Sequence, residues 1–305
     1  MSGANDIRKF FGNTGDDNSD DEMPVVEDGS GDDNSENERP VVKGGPGDIR
    51  KFFGYDYEEG VVAVAKYYWR TKKIPTPPES PNGKPWETFL IHSKNTGVAG
   101  KLSPFHLRDK YGRIMENVWQ FAKVYSTVAS VSSKAWKHRG ERHHDEEKGY
   151  TPEFWAWRKK GMNHDQAVRY PNGFKGRTQC KWALWPKSGL NDEQAGTNPD
   201  NYEKLDYIQA RKKIYCQIYK DMCPTNSSFK HIRELRRNGT NVLIVEVDGP
   251  DPTLKHAPYD RISKDDPCMI MDEEAIKLLL HDPKKPFGHG FVIAALLLDG
   301  ADWLQ

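Results

Sequence analysis

The chain has 305 residues, and its 45 Lys and Arg are matched by 45 Asp and Glu. Its longest wholly apolar run, Phe291–Leu298, is far short of the roughly 20 residues a membrane-spanning helix needs, so no membrane span is expected. Its four cysteines (Cys180, Cys216, Cys223, Cys268) form no Cys-x-x-Cys pair, and Met1–Gly12 lacks the continuous apolar core of a signal peptide; a reduced, intracellular, non-secreted protein is expected.

The first 54 residues read as a disordered acidic arm. Residues 13–47 hold eleven Asp and Glu against two Lys and Arg and contain no aromatic residue. Such a tract buries too little apolar surface to offset chain entropy. It is also a repeat: residues 16–31 (DDNSDDEMPVVEDGSG) are copied as residues 32–47 (DDNSENERPVVKGGPG). This tandem unit reads as a spacer. The net −9 of residues 13–47 and +1 of residues 1–12 leave about +8 on residues 48–305, so neutrality conceals an acidic arm on a basic body.

The spacer separates two identical heptamers, Asp-Ile-Arg-Lys-Phe-Phe-Gly, at residues 6–12 and 48–54. One helical turn would gather Ile7, Phe10 and Phe11, and likewise Ile49, Phe52 and Phe53, into a small apolar plug suited to a partner's pocket. The heptamer resembles the PCNA-interacting peptide (PIP box) at the start of the clamp loader's large subunit. Its aliphatic and paired aromatic positions match, while Ala4 and Pro46 stand where the general pattern has Gln. The resemblance implies a PCNA-type sliding clamp as partner, and hence a nuclear or viral replication setting. Two peptides on one arm would raise the second contact's effective concentration to near millimolar.

Residues 55–305 read as one globular α+β domain, mainly helical. Proline-rich residues 71–87 are expected to be loop, and the stretch Lys66–Lys73 (KYYWRTKK) mixes cations with aromatics as nucleic-acid-binding surfaces do. Residues 113–131 have helical period, with Ile114, Val118, Phe121, Ala122, Tyr125 and Val128 on one face. Residues 203–222 form a second amphipathic pattern, turning Leu205, Ile208, Ile214 (or Tyr215) and Ile218 inward. Residues 241–247 read as a buried strand closed by a turn at Asp248-Gly249-Pro250, and Glu273–His281 and Phe291–Leu298 as helices.

Three groups of residues carry chemistry. Glu116, Gln120 and Lys123 fall on one polar stripe beside Trp119, a set able to hold a sugar and supply a carboxylate. Gly288, His289 and Gly290 open the last helix, where exposed backbone N–H groups suit a phosphate. Glu246, Asp248 and Asp251 cluster after a strand. His138, His143, His144 and His164 lie close in sequence but have no zinc-ligand spacing, and neither metal nor cofactor is expected.

In order, these pieces resemble the NADAR family of N-glycosidase-like proteins, which cleave base–ribose bonds, including those of ADP-ribose attached to nucleic-acid bases. The family's helix motif Glu-His-x-Tyr-Gln-Ala-x-Lys is met by Glu116-Asn117-Val118-Trp119-Gln120-Phe121-Ala122-Lys123 at its Glu, Gln and Lys, with Asn117 for His and Trp119 for Tyr, preceded by Ser103-Pro104-Phe105 in place of Ser-Asn-Phe. The resemblance implies that Glu116 stabilises or attacks the oxocarbenium carbon, Trp119 stacks on the base, Lys123 steadies phosphate or orients Glu116, and Asp251 assists. Ser103, Phe105, Gln120, Gly288, His289 and Gly290 would bind substrate. The implied target is DNA or ADP-ribosylated nucleic acid. A non-catalytic clamp-binding adaptor, or an N-glycosidase of small nucleotides, are the alternatives.

Overall fold

The computed structural model describes residues 58–305, apart from residues 69, 93–96, 129, 133–136, 146, 174, 175, 177 and 178. The acidic arm, both heptamers and their plug residues Ile7, Phe10, Phe11, Ile49, Phe52 and Phe53 therefore lie outside the described residues.

In chain order the main elements are β1 (Val62–Lys66), β2 (Trp86–Ile91), α1 (Met115–Phe121), β3 (Lys123–Tyr125), α2 (Pro152–Met162), β4 (Cys180–Pro186) and β5 (Tyr202–Leu205). They continue with α3 (Tyr207–Met222), α4 (Ser227–Arg237), β6 (Asn241–Glu246), β7 (Cys268–Ile270), α5 (Glu273–His281) and α6 (His289–Leu297). Helix and strand are thus mixed throughout. The sheet content is larger than the hydrophobic periodicity indicates, because several strands are short and paired over long sequence distances.

The main sheet has the order β7-β1-β6-β2. Its two parallel pairings join β1, β6 and β2, in register Lys66↔Glu246↔Ile91 at their carboxyl ends, while β7 runs antiparallel on the edge beside β1. All six residues of β6 are buried, which is why the sequence there is a continuous apolar run rather than an alternation. Helices α4 and α6 pack on one face. Helix α6 is buried on every side, consistent with its lack of any polar face after Gly290. The other face holds a smaller cluster of Ala63, Ala65, Tyr67, Leu243, Val245 and Cys268.

The proline-rich segment is loop until β2 begins at Trp86. Asn241, fully buried, pins it: its Nδ2 donates to Ser80 Oγ (3.1 Å), Asn82 Oδ1 (2.9 Å) and Lys84 O (3.1 Å), and its Oδ1 accepts from Val61 N (2.8 Å). A second sheet, β5-β4-β3, is wholly antiparallel.

Two expected helices change character. The helix expected over 113–131 ends at Phe121, and Lys123–Tyr125 becomes strand β3, paired to Cys180–Ala183 of β4. Arg158 of α2 donates to the Phe121 carbonyl (3.2 Å) and so closes the helix end. The pattern over 203–222 divides at Asp206, whose side chain accepts from Gln209 N (2.8 Å) and caps α3, leaving residues 202–205 as β5. Inside α3, Arg211–Cys216 forms a π-helical segment. The wider turn lets Ile214 and Tyr215 both face inward, resolving the alternative left by the periodicity. Glu273–His281 is helical as expected, and the last helix starts two residues before Phe291.

All four cysteines are buried free thiols, and burial pushes those of Cys180, Cys216 and Cys268 up to about 12. No helix among the described residues is long and apolar enough to cross a membrane.

Candidate active site

A cavity of about 160 Å³ opens at the carboxyl ends of the parallel strands. His92, following β2, and Val247 and Asp248, following β6, form its base. That is where parallel sheets commonly place ligands, because the loops leaving the strand ends diverge there.

Helix α1 supplies the next wall, and its start is fixed by backbone chemistry. Ile114 at the N-cap offers no side-chain acceptor, so the first helical N–H groups find backbone carbonyls instead. Met115 N donates to Leu107 O and Glu116 N to Pro104 O, each at 2.9 Å. A turn at Gly112 (φ 78°) folds the chain back to make this possible. Ser103, Pro104 and Phe105 are thereby brought beside Glu116, and all four line the cavity.

Glu116 is buried, with 7% exposure. Gln120 Nε2 donates to its Oε1 at 2.8 Å, and Lys123 Nζ donates to Gln120 Oε1 at 2.9 Å. The lysine ammonium also sits 5.0 Å over the Trp119 ring. Glu116, Gln120 and Lys123 are therefore one hydrogen-bonded chain, although the helix ends before Lys123. Burial raises the Glu116 carboxyl above its ordinary value, with Asp248 adding to the rise; Gln120, Lys123 and Arg169 oppose it. Burial likewise raises Asp248, with Glu246 next in effect, against Arg169, His289 and Lys66. Two carboxyls, each hard to ionise, thus line one cavity.

Trp119 meets Tyr215 edge-on (5.5 Å) and Tyr207 at 6.5 Å, so α3 provides an aromatic wall. Arg211, one turn on from Tyr207, is almost wholly buried. Its guanidinium donates to the carbonyls of Leu279, Leu280, Asp282 and Lys285, tying the end of α5 to the cavity wall.

Behind the cavity, Glu246 is fully buried and its Oε2 lies 2.8 Å from His289 Nδ1. His289 Nε2 faces the Ile91 carbonyl at 3.3 Å. An acceptor at each ring nitrogen is the environment of a doubly protonated imidazolium. Burial works against that charge, but Glu246, and Asp248 beyond it, hold His289 above its ordinary value. A Cβ on Gly288 would stand 2.0 Å from Glu246 Oε1, and one on Gly290 3.0 Å. The two glycines are thus needed for the approach of this internal carboxylate, which occupies the place the sequence suggests for a phosphate.

Eight residues singled out in the sequence line one cavity: Ser103, Phe105, Glu116, Trp119, Gln120, Lys123, Asp248 and His289. Gly288 and Gly290 contribute at one remove, through Glu246. Asp251 is not in the lining. It accepts from Thr253 N (3.0 Å) and Thr253 Oγ1 (2.6 Å) and pairs with Lys285 (3.2 Å), a turn-forming role that holds its carboxyl down at about 2 despite some burial. Asp248, three residues earlier, takes the place expected of it.

Family profiles, characterised proteins and solved structures show no match to this chain.

The cavity also contains residues that no motif marked. Arg169 and Tyr170 enter from a loop held by Asn117, which is fully buried. Its Nδ2 donates to His164 O and Gln166 O (both 3.0 Å), and its Oδ1 accepts from Val168 N (2.8 Å). Asn117 sits within the helix motif, so its polar residue type on an apolar face was the available signal. Histidines 143 and 144 pack against aromatic rings, His143 on Trp157 (4.6 Å) and His144 on Trp182 (5.0 Å). No group of three His, Cys, Asp or Glu placed to hold a metal occurs among the described residues.

Proposed function

We propose that this protein is an N-glycosidase that hydrolyses the bond between a nucleic-acid base and an attached ribose, as in ADP-ribosylated bases. In this proposal its amino-terminal arm docks on a PCNA-type sliding clamp through Ile7, Phe10, Phe11, Ile49, Phe52 and Phe53. The enzyme then acts at replicating or repairing DNA, in a nucleus or a viral replication compartment.

The observation that carries the reading is a pair of carboxyls lining one cavity with an aromatic wall, Glu116 buried and Asp248 half-buried, both raised above their ordinary values by desolvation. Cleaving an N-glycosidic bond requires a proton on the departing base and negative charge near the cationic ribose carbon. Environments that favour one proton on a carboxyl pair supply both. Gln120 donates a hydrogen bond to Glu116, which favours its anion, whereas Asp248 lies next to Glu246, which disfavours its own. Glu116 is accordingly assigned as the carboxylate that stabilises the oxocarbenium carbon, and Asp248 as the acid. As the C–N bond breaks, its electron pair leaves with the base, and Asp248 provides the proton. Water then adds to the ribose carbon and returns a proton to the ionised Asp248. Trp119 and Tyr207 bound the space for the base, and Lys123 orients Glu116 through Gln120.

The test is to incubate the full chain with a DNA oligonucleotide bearing an ADP-ribosylated base, alongside Glu116→Gln. The parent is expected to release ADP-ribose, and the variant to be slower by about 10³-fold, the scale of losing a preorganised charge-stabilising group. No release by either protein would remove the enzymatic reading and leave a clamp-binding adaptor.

A further inference from the structure

The sequence KYYWRTKK at Lys66–Lys73 is not used by the cavity chemistry, yet the fold puts it at the cavity's edge. Lys66 is the last residue of β1 and is in register with Glu246 and Ile91, the strand ends from which Asp248 and His92 follow. The Tyr67 ring stacks on His92 at 5.4 Å, and His92 lines the cavity. The chain then reverses tightly: Tyr68 and Lys73 form an antiparallel bridge, and Lys72 N donates to Tyr68 O at 2.9 Å.

This turn projects charge into solvent. Arg70, Lys72 and Lys73 are exposed, and none forms an ion pair within the described residues. Tyr68 is 41% exposed, with the Lys66 ammonium 5.6 Å from its ring. Lys72 has φ 51°, a left-handed conformation that Gly or Asn adopts with less strain. A lysine is nevertheless present at the tip. Three exposed cations on the same turn as an accessible ring form the combination that holds a nucleic-acid strand, the cations on its phosphates and the ring against a base.

We propose that this turn is a binding surface for single-stranded nucleic acid, so that the cavity receives its base as part of a strand rather than as a free nucleotide. Delivery of the strand's base into the cavity rests on the N-glycosidase reading; the binding itself does not. Phosphates flanking the target nucleotide lie on Arg70, Lys72 and Lys73, and an unpaired neighbouring base stacks on Tyr68. Because all four side chains are exposed, replacing them leaves the core intact.

The experiment measures binding of fluorescein-labelled ten-nucleotide DNA and RNA strands, without any adduct, to the full chain across a salt series. It compares the parent with the triple variant Arg70→Ala, Lys72→Ala, Lys73→Ala and with Tyr68→Ala. The triple variant is expected to lose about tenfold or more in affinity and to lower the slope of log K against log salt by about 2, near 0.7 for each cation removed. Tyr68→Ala is expected to weaken binding by about tenfold with the slope unchanged, as loss of stacking does. Unchanged affinity and slope in the triple variant would overturn the proposal. It would equally be overturned if a synthetic peptide of residues 16–47 bound this surface and the triple variant lost the peptide but kept the strand, which would make the turn a seat for the chain's own acidic arm. Failure of ADP-ribose release with strand binding intact removes the enzyme assignment alone, so the two readings fail separately.

Discussion

Asn117 links the helix carrying Glu116 to the loop carrying Arg169 and Tyr170, and Asn117→Ala tests how much that link contributes. The substitution removes three hydrogen bonds at once. The Val168 N–H is buried, so losing its acceptor incurs the full penalty of an unsatisfied donor, about 1–3 kcal/mol. The carbonyls of His164 and Gln166 belong to residues that reach solvent, so each loses nearer the net value of about 1 kcal/mol. The sum is about 3–5 kcal/mol, to be read from the shift in midpoint in equilibrium urea denaturation of the full chain at constant slope. The loss should be local before it is global. Trypsin cleavage after Arg169, an exposed residue, is therefore expected to accelerate by about a hundredfold or more if the loop's closing free energy falls by that amount. A midpoint shift worth less than about 1 kcal/mol, with cleavage at Arg169 unchanged, would refute the idea that this side chain anchors the loop.

The other expected outcomes are more briefly stated. Gly288→Ala places a methyl where Glu246 Oε1 stands, so either the Glu246–His289 pair or the start of α6 must shift, at a cost of about 1–3 kcal/mol in denaturation. Glu116 has a raised native value, so the native state holds its proton more tightly than the unfolded chain does. Its contribution is most favourable below the ordinary glutamate value of 4.5 and is lost as pH rises through the native value. Glu116→Gln should consequently melt higher than the parent near pH 8, and the gap should close toward pH 4; a constant gap would contradict the burial argument. Replacing Phe10, Phe11, Phe52 and Phe53 together by Ala is expected to abolish binding to a sliding clamp in calorimetry, and replacing either pair to weaken it. Unchanged binding in the quadruple variant would eliminate the docking proposal.

The parts of this fold legible in the sequence are those set by local pattern. The unbroken apolar run of β6 and the periodicity of α5 give elements at the observed places, and the stripe of Glu116, Gln120 and Lys123 does converge. The parts that were not legible depend on distant partners. Residues 123–125 keep helical apolar spacing but become strand because β4, more than fifty residues later, offers a ladder and Arg158 closes the helix end. Asp248 and Asp251 look alike in sequence; Thr253 captures the second and leaves the first to the cavity. Arg169, Tyr170 and Tyr207 carry no motif, and their positions follow from a side-chain anchor and a cap, neither of which has a period. The glycines at 288 and 290 suggest a phosphate in the sequence, whereas the group packed against them in the fold is the chain's own Glu246.

The π-helical segment of α3 has a geometric consequence for the cavity. Residues four apart on an α-helix advance by about 40° beyond a full turn, so a row of them winds away from any flat surface. Tyr207, Arg211, Tyr215 and Tyr219 form such a row, yet the first three line the cavity and the fourth lies 6.4 Å from His289, which lines it too. The looser coil at Arg211–Cys216 turns the row back midway, and one helix can serve as a straight edge along the whole opening. Wound as a regular α-helix, the same residues would carry Tyr215 about 80° round from Tyr207 and out of the wall while Tyr207 stayed. The cavity's length is in this sense set by one extra residue in a helix, a change of the kind a single codon insertion makes.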